Sequence, residues 1–355
     1  MPQGNVAMIS IQYERLECIA GDIDQLLAIS KNELIHYSSK YLEFISKVTD
    51  STEFICITAR INNELQGFVP LALKFDAAFG TVANSLPYFG SHGGLFVGSN
   101  CSDGDAVTQA LIFGIKELCG ERNIVSVTVV ENLFRPVNES LYIAAGLNCV
   151  DDRIGQLTRL PNKQSVDVEA ELMTGFHVKT RNAVRKGTKY FGKFVERKDD
   201  SAVHWMQSVH ESSILSMGGV PKSLNHFKVL LDTFGDQARL YLCENDGVPL
   251  AGVLVLLYGS TVEYFTPVVD EDYKDKQLLS ALIFKVMSTL SREGYELWNW
   301  GGTWRSQEGV YRFKNRWGAF DKSYRYFNAV TNPGFLSADR SALFSAFPYF
   351  YLFRY

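Results

Sequence analysis

The chain's most concentrated chemistry stands near its C-terminus, in the run Gly301-Gly302-Thr303-Trp304-Arg305-Ser306-Gln307-Glu308-Gly309-Val310-Tyr311-Arg312-Phe313-Lys314. Gly301, Gly302 and Thr303 follow the strand-like stretch Glu296–Trp300, where backbone N–H groups approach a ligand without a side chain between them. Lys314, after Phe313, is a compact cation that can serve beside a developing oxyanion or a phosphate. A second concentration is basic: Lys179, Arg181, Arg185, Lys186, Lys189 and Lys193. Arg181, Arg185 and Lys189 are spaced by four and share a helical face, which repels itself when isolated and suits a polyanion. A nucleotide diphosphate sugar, coenzyme A or the 3′ end of a tRNA would satisfy that face.

Other chemistries are excluded by what is missing. Ser91-His92-Gly93-Gly94 has the form of an esterase oxyanion loop, yet no G-x-S-x-G elbow accompanies it. His92 is kept as a substrate contact. His204, His210 and His226 lack the spacing of a metal site, and no Gly-rich phosphate fingerprint follows a strand. The expectation is therefore no metal and no tightly bound cofactor.

The elements that must position these residues occur twice. FICITARINNELQGFVPLALKF alternates apolar and polar residues around Asn62-Asn63-Glu64, and ARLYLCENDGVPLAGVLVLLYG does so around Asn245-Asp246-Gly247, so each half predicts a β-hairpin. A helix-period stretch and a further strand follow each hairpin. Ala110-Leu111-Ile112-Phe113 recurs as Ala281-Leu282-Ile283-Phe284 at the same place in the unit. Strand, helix and strand in that order predict an α/β (α+β) fold, in two tandem mixed sheets flanked by helices. The polar stretch 151–168 reads as the connection, giving domains 1–165 and 166–330 and an aromatic tail 331–355. The crowding of Phe347, Tyr349, Phe350, Tyr351, Phe353 and Tyr355 is read as a tail packing on the protein's own surface, with peripheral membrane contact the most it offers otherwise.

With 355 residues, 46% hydrophobic and 21% charged, the chain is an ordinary globular protein of two-domain length. Its net charge of -4 argues against DNA coating, which needs many phosphate contacts. Six cysteines without regular spacing form neither a disulfide framework nor a zinc site. The start MPQGNVAMIS has no secretory pattern, and no apolar run reaches the ~18 residues of a spanning helix. A cytoplasmic location is expected.

Strand, Gly-Gly-Thr, a short polar loop and then Gly-x-Tyr-x-Phe-Lys-x-x-Trp-Gly resembles the second-domain signature of the Fem family of peptidoglycan-bridge aminoacyltransferases. His36–Ile45, Leu86–Val97 and Thr180–Arg197 resemble that family's opening helix, its acceptor-facing first-domain loop with Tyr88 and His92, and its basic helix. The resemblance implies two tandem GNAT-like domains and transfer of an acyl or aminoacyl group to an amine, without a covalent enzyme intermediate. The implied acceptor is an amino sugar, nucleotide sugar or peptide precursor of the cell envelope, held between the domains. It further implies that Lys314 stabilises charge at the reacting centre, beside Phe313. Glu308 is placed to take the amine's proton, and Glu263 and Tyr264 face the cleft where strands splay.

The donor stays open. Ordinary acyl-CoA enzymes hold the pyrophosphate on a glycine-bearing loop at the start of the central helix. Here that run is Lys274-Asp275-Lys276-Gln277-Leu278-Leu279, with Gln277 and Leu279 at the glycine positions. Many bridge-forming relatives carry a coiled-coil arm, and no heptad run exists here. Acyl-CoA and aminoacyl-tRNA both remain, as does a binding protein that kept the fold without the chemistry.

Overall fold

The structure, a computed structural model, describes residues 8–30, 33–88 and 92–352. Most of the N-terminal stretch weighed as a targeting signal, Ser91 of the glycine loop, and Phe353 and Tyr355 of the tail lie outside the described residues.

The chain divides into two compact units. One holds His36–Arg153 with the chain up to Lys31 and the segment from Ser323, and the other holds Ile154–Lys322 with the short piece Asn32–Ile35. The division thus falls at Arg153 rather than at 165, and the second unit ends at Lys322 rather than at 330. The reason is an exchange of final strands: the strand that ends the second repeat pairs in the first unit, Tyr326 opposite Val130 and Val330 opposite Ser126.

In the first unit β1 (Ile9–Arg15) leads into α1 (Leu16–Ala28) and α2 (Ser39–Val48). The hairpin β2 (Thr52–Ile61) and β3 (Glu64–Asp76) turns through Asn62 and Asn63, both left-handed, a conformation that asparagine tolerates better than most residues. Then come β4 (Gly80–Asn84), the short β5 (Phe96–Val97), α3 (Gly104–Glu121), β6 (Ile124–Val130) and α4 (Glu139–Ala144). β7 (Asn148–Arg159) carries the chain onward.

The second unit opens with α5 (Val168–Gly175), α6 (Val178–Tyr190) and β8 (Lys193–Glu196), followed by α7 (Asp200–Ser216) and α8 (Leu224–Phe234). Its hairpin is β9 (Ala238–Asn245) and β10 (Val248–Tyr258), turning through Asp246 and Gly247. β11 (Thr261–Val269), α9 (Leu278–Glu293), β12 (Leu297–Trp304) and α10 (Glu308–Asn315) complete the repeat, and β13 (Phe320–Val330) leads back. The sheet order in this unit is β7-β12-β11-β10-β9-β8. β11 and β12 run parallel, as a strand–helix–strand crossover requires.

The aromatic tail is not a separate piece. It forms α11 (Pro333–Leu336) and α12 (Arg340–Ala346), and it buries Phe335, Leu343, Phe347, Phe350 and Leu352 against Ala72 and Val82 of the first unit's sheet. Asn84 pins it by accepting from the Tyr351 N–H at 2.7 Å and donating to the Tyr351 carbonyl at 2.9 Å. Ser126 and Asn328 both donate to the Leu352 carbonyl.

Candidate active site

The second unit's sheet opens where β11 and β12 part. Their ladder covers only Thr261, Val262 and Glu263 opposite Leu297, Trp298 and Asn299, although both strands continue beyond it. At the last paired rung Asn299 donates to the Glu263 carboxylate at 2.6 Å. Asn299 also accepts from the Gly301 N–H at 3.0 Å, while Gly301 takes a φ of 72° and turns the strand.

That turn aims two carbonyls at one lysine. Lys314, in the last turn of α10, donates to the Gly301 and Gly302 carbonyls at 3.2 and 3.0 Å and to the Thr303 hydroxyl at 2.9 Å. Thr303 in turn donates to Gln156 of β7 at 3.0 Å. Gln156 closes the ring by donating to the Tyr311 carbonyl of α10. Every proton of the Lys314 ammonium therefore has an acceptor, which is what a buried cation needs.

Burial governs both charges. It pushes Glu263 up to about 8, against the stabilising hydrogen bond from Asn299 and the nearby Lys314 cation. It pulls Lys314 down to about 8, against the attraction of Glu263. The two groups sense each other, so their titrations belong to the pair. A carboxyl and an ammonium that exchange protons near neutrality are suited to acid–base work.

An aromatic wall lines the same region. Tyr264 lies 5.0 Å from Trp300 and 5.6 Å from Trp298 between ring centroids, and Phe313 meets Trp300 edge-on at 5.9 Å. Trp300 is fixed by donating to Thr158 at 2.9 Å. Burial also raises the Tyr264 phenol above its ordinary range.

The structure brings together Lys314, Thr303, Gly301, Gly302, Tyr264 and Phe313 of the expected residues and revises several roles. The Gly301 N–H, expected with those of Gly302 and Thr303 as a backbone donor to a ligand, is engaged by Asn299, and the carbonyls of Gly301 and Gly302 form an acceptor cradle for Lys314. Glu308 starts α10 exposed, 3.8 Å from Arg312, leaving Glu263 as the carboxylate coupled to Lys314. Asn299 and Gln156 escaped the sequence reading because nothing in a spacing pattern marks a neutral amide as a clamp.

The basic face divides as well. Arg181 donates to the Phe176 carbonyl at 2.7 Å and caps the end of α5, so it is committed to the fold. Arg185, Lys186 and Lys189 are exposed on α6. Gly187 brings α6 against α9, since a Cβ there would stand 2.3 Å from the Gln277 carbonyl. Gln277, left-handed at a φ of 62°, begins α9 in a backbone shape that glycine adopts more readily.

Tyr88 and His92 belong to the first unit and are buried there. Tyr88, at a φ of 75°, packs edge-on to Phe44, while His92 lies 5.1 Å from His36 and 5.2 Å from Tyr324 between ring centroids. Burial lowers the His36 imidazole to about 3, which keeps it neutral. Among the described residues no group of three or more His, Cys, Asp or Glu could hold a metal ion.

Residues 178–315, from the first residue of α6 to the last of α10, match the family model described as an acetyltransferase (GNAT) domain. No curated protein sequence matches the chain. Among solved structures, the chain is similar to FemX at 14% identity and a TM-score of 0.68, with 95% of this chain and 99% of that one covered. It is also similar to a tandem GNAT protein from the clavulanic acid biosynthesis pathway, at 13% identity and a TM-score of 0.55, covering 92% and 99%. A third is the C-terminal domain of a putative lysylphosphatidylglycerol synthetase from Agrobacterium fabrum, at 10% identity and 0.55, covering 93% and 97%. At these identities the likeness is one of fold. That fold is a tandem of GNAT-like units, the second of which contains the stretch that matches the acetyltransferase (GNAT) domain model.

Proposed function

From an acyltransferase domain of the GNAT fold, we propose an enzyme that forms an amide on an amino group of a cell-envelope precursor, by direct attack and without an acyl-enzyme. The observation that carries this reading is the buried pair of Glu263 and Lys314 at the end of the short β11–β12 ladder. The acceptor amine attacks the acyl carbonyl carbon, the ionised Glu263 takes the proton the amine loses, and Lys314 stands as the positive charge beside the oxyanion. Collapse of the tetrahedral intermediate expels the donor's thiolate or ribose oxygen, which takes up the proton that Glu263 accepted and leaves as the thiol or hydroxyl, returning Glu263 to its ionised form.

The acceptor class, an amino sugar, nucleotide sugar or peptidoglycan peptide, rests on the Fem-like signature around Phe313-Lys314. The donor is acyl-CoA or aminoacyl-tRNA. Both carry phosphates, for which the exposed Arg185, Lys186 and Lys189 of α6 provide a basic face. The site's chemistry is suited to a cytoplasmic setting, where both donors are found.

The test is incubation of the purified protein with UDP-linked amino sugars and with peptidoglycan precursors, each with acetyl-CoA or charged tRNA, and mass spectrometry of the products. An acylated amine that fails to form with Lys314→Met supports the reading and names the donor. Tight ligand binding with no product in any combination would make the protein a binding module on the same fold.

A further inference from the structure

The internal repeat makes an unequal pair of grooves. As the second repeat's neighbour strand ends, the Leu160 N–H donates to the Glu296 carbonyl at 2.8 Å, and in the first unit the Thr331 N–H donates to Val125 at 2.9 Å. Both partners differ by the same numbering offset that separates Ala110–Phe113 from Ala281–Phe284, so the two bonds are one bond of the duplicated fold.

Beyond that bond the chain takes different routes. In the second unit it passes Pro161, whose carbonyl accepts from Ser291, and then folds back as α5 across the groove between α9 and the turn at Gly318. Val168, Leu172 and Phe176, one helical turn apart, fill that groove against Phe284, Met287 and Trp317. Glu169 on the flank reaches Arg292 at 3.4 Å. In the first unit the chain after Thr331 instead turns to the opposite sheet face, where α11 and α12 build the tail's cluster.

The first unit's groove is consequently left open. It is a cavity of about 570 Å³ between the C-terminal half of α3, the start of β6 and the turn at Gly146, lined by Ile115, Cys119, Ile124, Val127, Leu147 and Ala329. The two turns record the difference. A Cβ on Gly318 would stand 2.9 Å from the Gly175 carbonyl that ends α5, whereas a Cβ on Gly146 would meet nothing within 4 Å.

We propose that this groove of the first unit is a docking site for a short amphipathic helix of a partner protein. The helix presents apolar side chains on three successive turns, as Val168, Leu172 and Phe176 do in the sister groove, and an acidic residue toward the exposed Lys116 at the rim. Helix-in-groove recognition of this kind is read from anchors one turn apart. The cavity falls in the range of ~300–1,000 Å³ that proteins use for ligands, enough to seat the anchors but not a whole helix.

The test uses a synthetic peptide with the sequence of residues 166–177, titrated into the full-length protein carrying labelled Ile, Leu and Val methyl groups. Saturable shifts at Ile115, Ile124, Val127 and Leu147 are expected, at least tenfold weaker for a peptide bearing Leu172→Asp. A Gly120→Leu protein, whose new side chain enters open space at the groove, should keep its melting temperature and lose the shifts. Absence of saturation at millimolar peptide overturns the proposal, as do shifts confined to the protein's own α5 contacts. Sedimentation showing a dimer that Gly120→Leu abolishes would assign the groove to a second copy. Displacement of the peptide by a short-chain fatty acid at lower concentration would assign it to a lipid chain.

Discussion

Lys314 is a clasp in the fold and, in the proposed reaction, a charge beside the oxyanion, and the two roles separate by substitution. Lys314→Ala removes the charge and leaves the half-buried Gly301 and Gly302 carbonyls without their donor, a loss of about 1.5–3 kcal/mol for each hydrogen bond to the ammonium. The alanine variant is therefore expected to melt lower as well as to lose turnover. Lys314→Met keeps the bulk, so its product formation should fall by at least ~100-fold, the scale of losing one group that stabilises the oxyanion, with a smaller drop in melting temperature. A methionine variant with normal kcat would remove Lys314 from the chemistry. Glu263 gives a second separable signature. Glu263 must be ionised to take a proton and Lys314 must be protonated to hold an oxyanion, and burial brings both to about 8. kcat/KM should rise with pH as Glu263 loses its proton and fall as Lys314 loses its own, giving a narrow maximum near 8. Glu263→Gln should lower the rate, abolish the rising limb and move the falling limb to lower pH, because the attraction that holds Lys314 up is lost. A rising limb that survives in the glutamine variant would assign the base elsewhere.

At the scale of elements, the sequence told more about order than about contacts. Both hairpins, the helix after each, and the strand that ends in Gly-Gly-Thr were legible because alternation, Asn-Asn and Asp-Gly turns and helical periodicity are local properties. Lys314 and Phe313 were legible as a pair within a signature. Glu263 was placed at the splay only through the resemblance, and its partner Asn299 not at all, because a parallel rung joins residues separated by a whole crossover helix. Glu308 looked like the base through its closeness in sequence, yet it starts α10 on the exposed side. The crossing of α6 and α9 was equally hidden, since the basic pattern of α6 says nothing of the glycine that lets it approach. Gly187→Ala tests that crossing. Helix propensity favours alanine by about 1 kcal/mol. Against it, the new methyl would stand 2.3 Å from the Gln277 carbonyl and 2.8 Å from Ala281, and overpacking of this kind costs about 1–3 kcal/mol. A net loss is expected, read as a lower urea midpoint, and a gain would mean that α6 shifts freely on α9.

At the scale of the molecule, duplication supplied two similar units that have diverged in content. Counting back four residues from the left-handed turn glycines, Gly318 and Gly146, leads to Lys314 in one and Tyr142 in the other. Tyr142 is fully buried and stacked on Phe327 at 3.9 Å, so at this position the first unit carries packing where the second carries charge. The exchange of last strands had a further consequence. The chain that leaves β13 ends in the first unit, and there the aromatic tail covers a sheet face instead of ending free in solvent. Phe347, Phe350 and Leu352 are each at most 4% exposed, and each is worth about 1.5–3 kcal/mol when fully buried. Removing the chain from Phe344 onward would uncover that face and leave Asn84, Ser126 and Asn328 without the backbone groups they hold. Losses of this size rival the total stability of an ordinary domain. The truncated protein should therefore show a first unit that binds a hydrophobic dye and melts at least ~10 °C below the intact chain. Asp substitutions at Phe347 and Phe350 should reproduce the effect, because the cause is burial. A truncated protein with unchanged melting, and liposome binding seen only with the tail present, would instead assign these aromatic rings to a membrane surface.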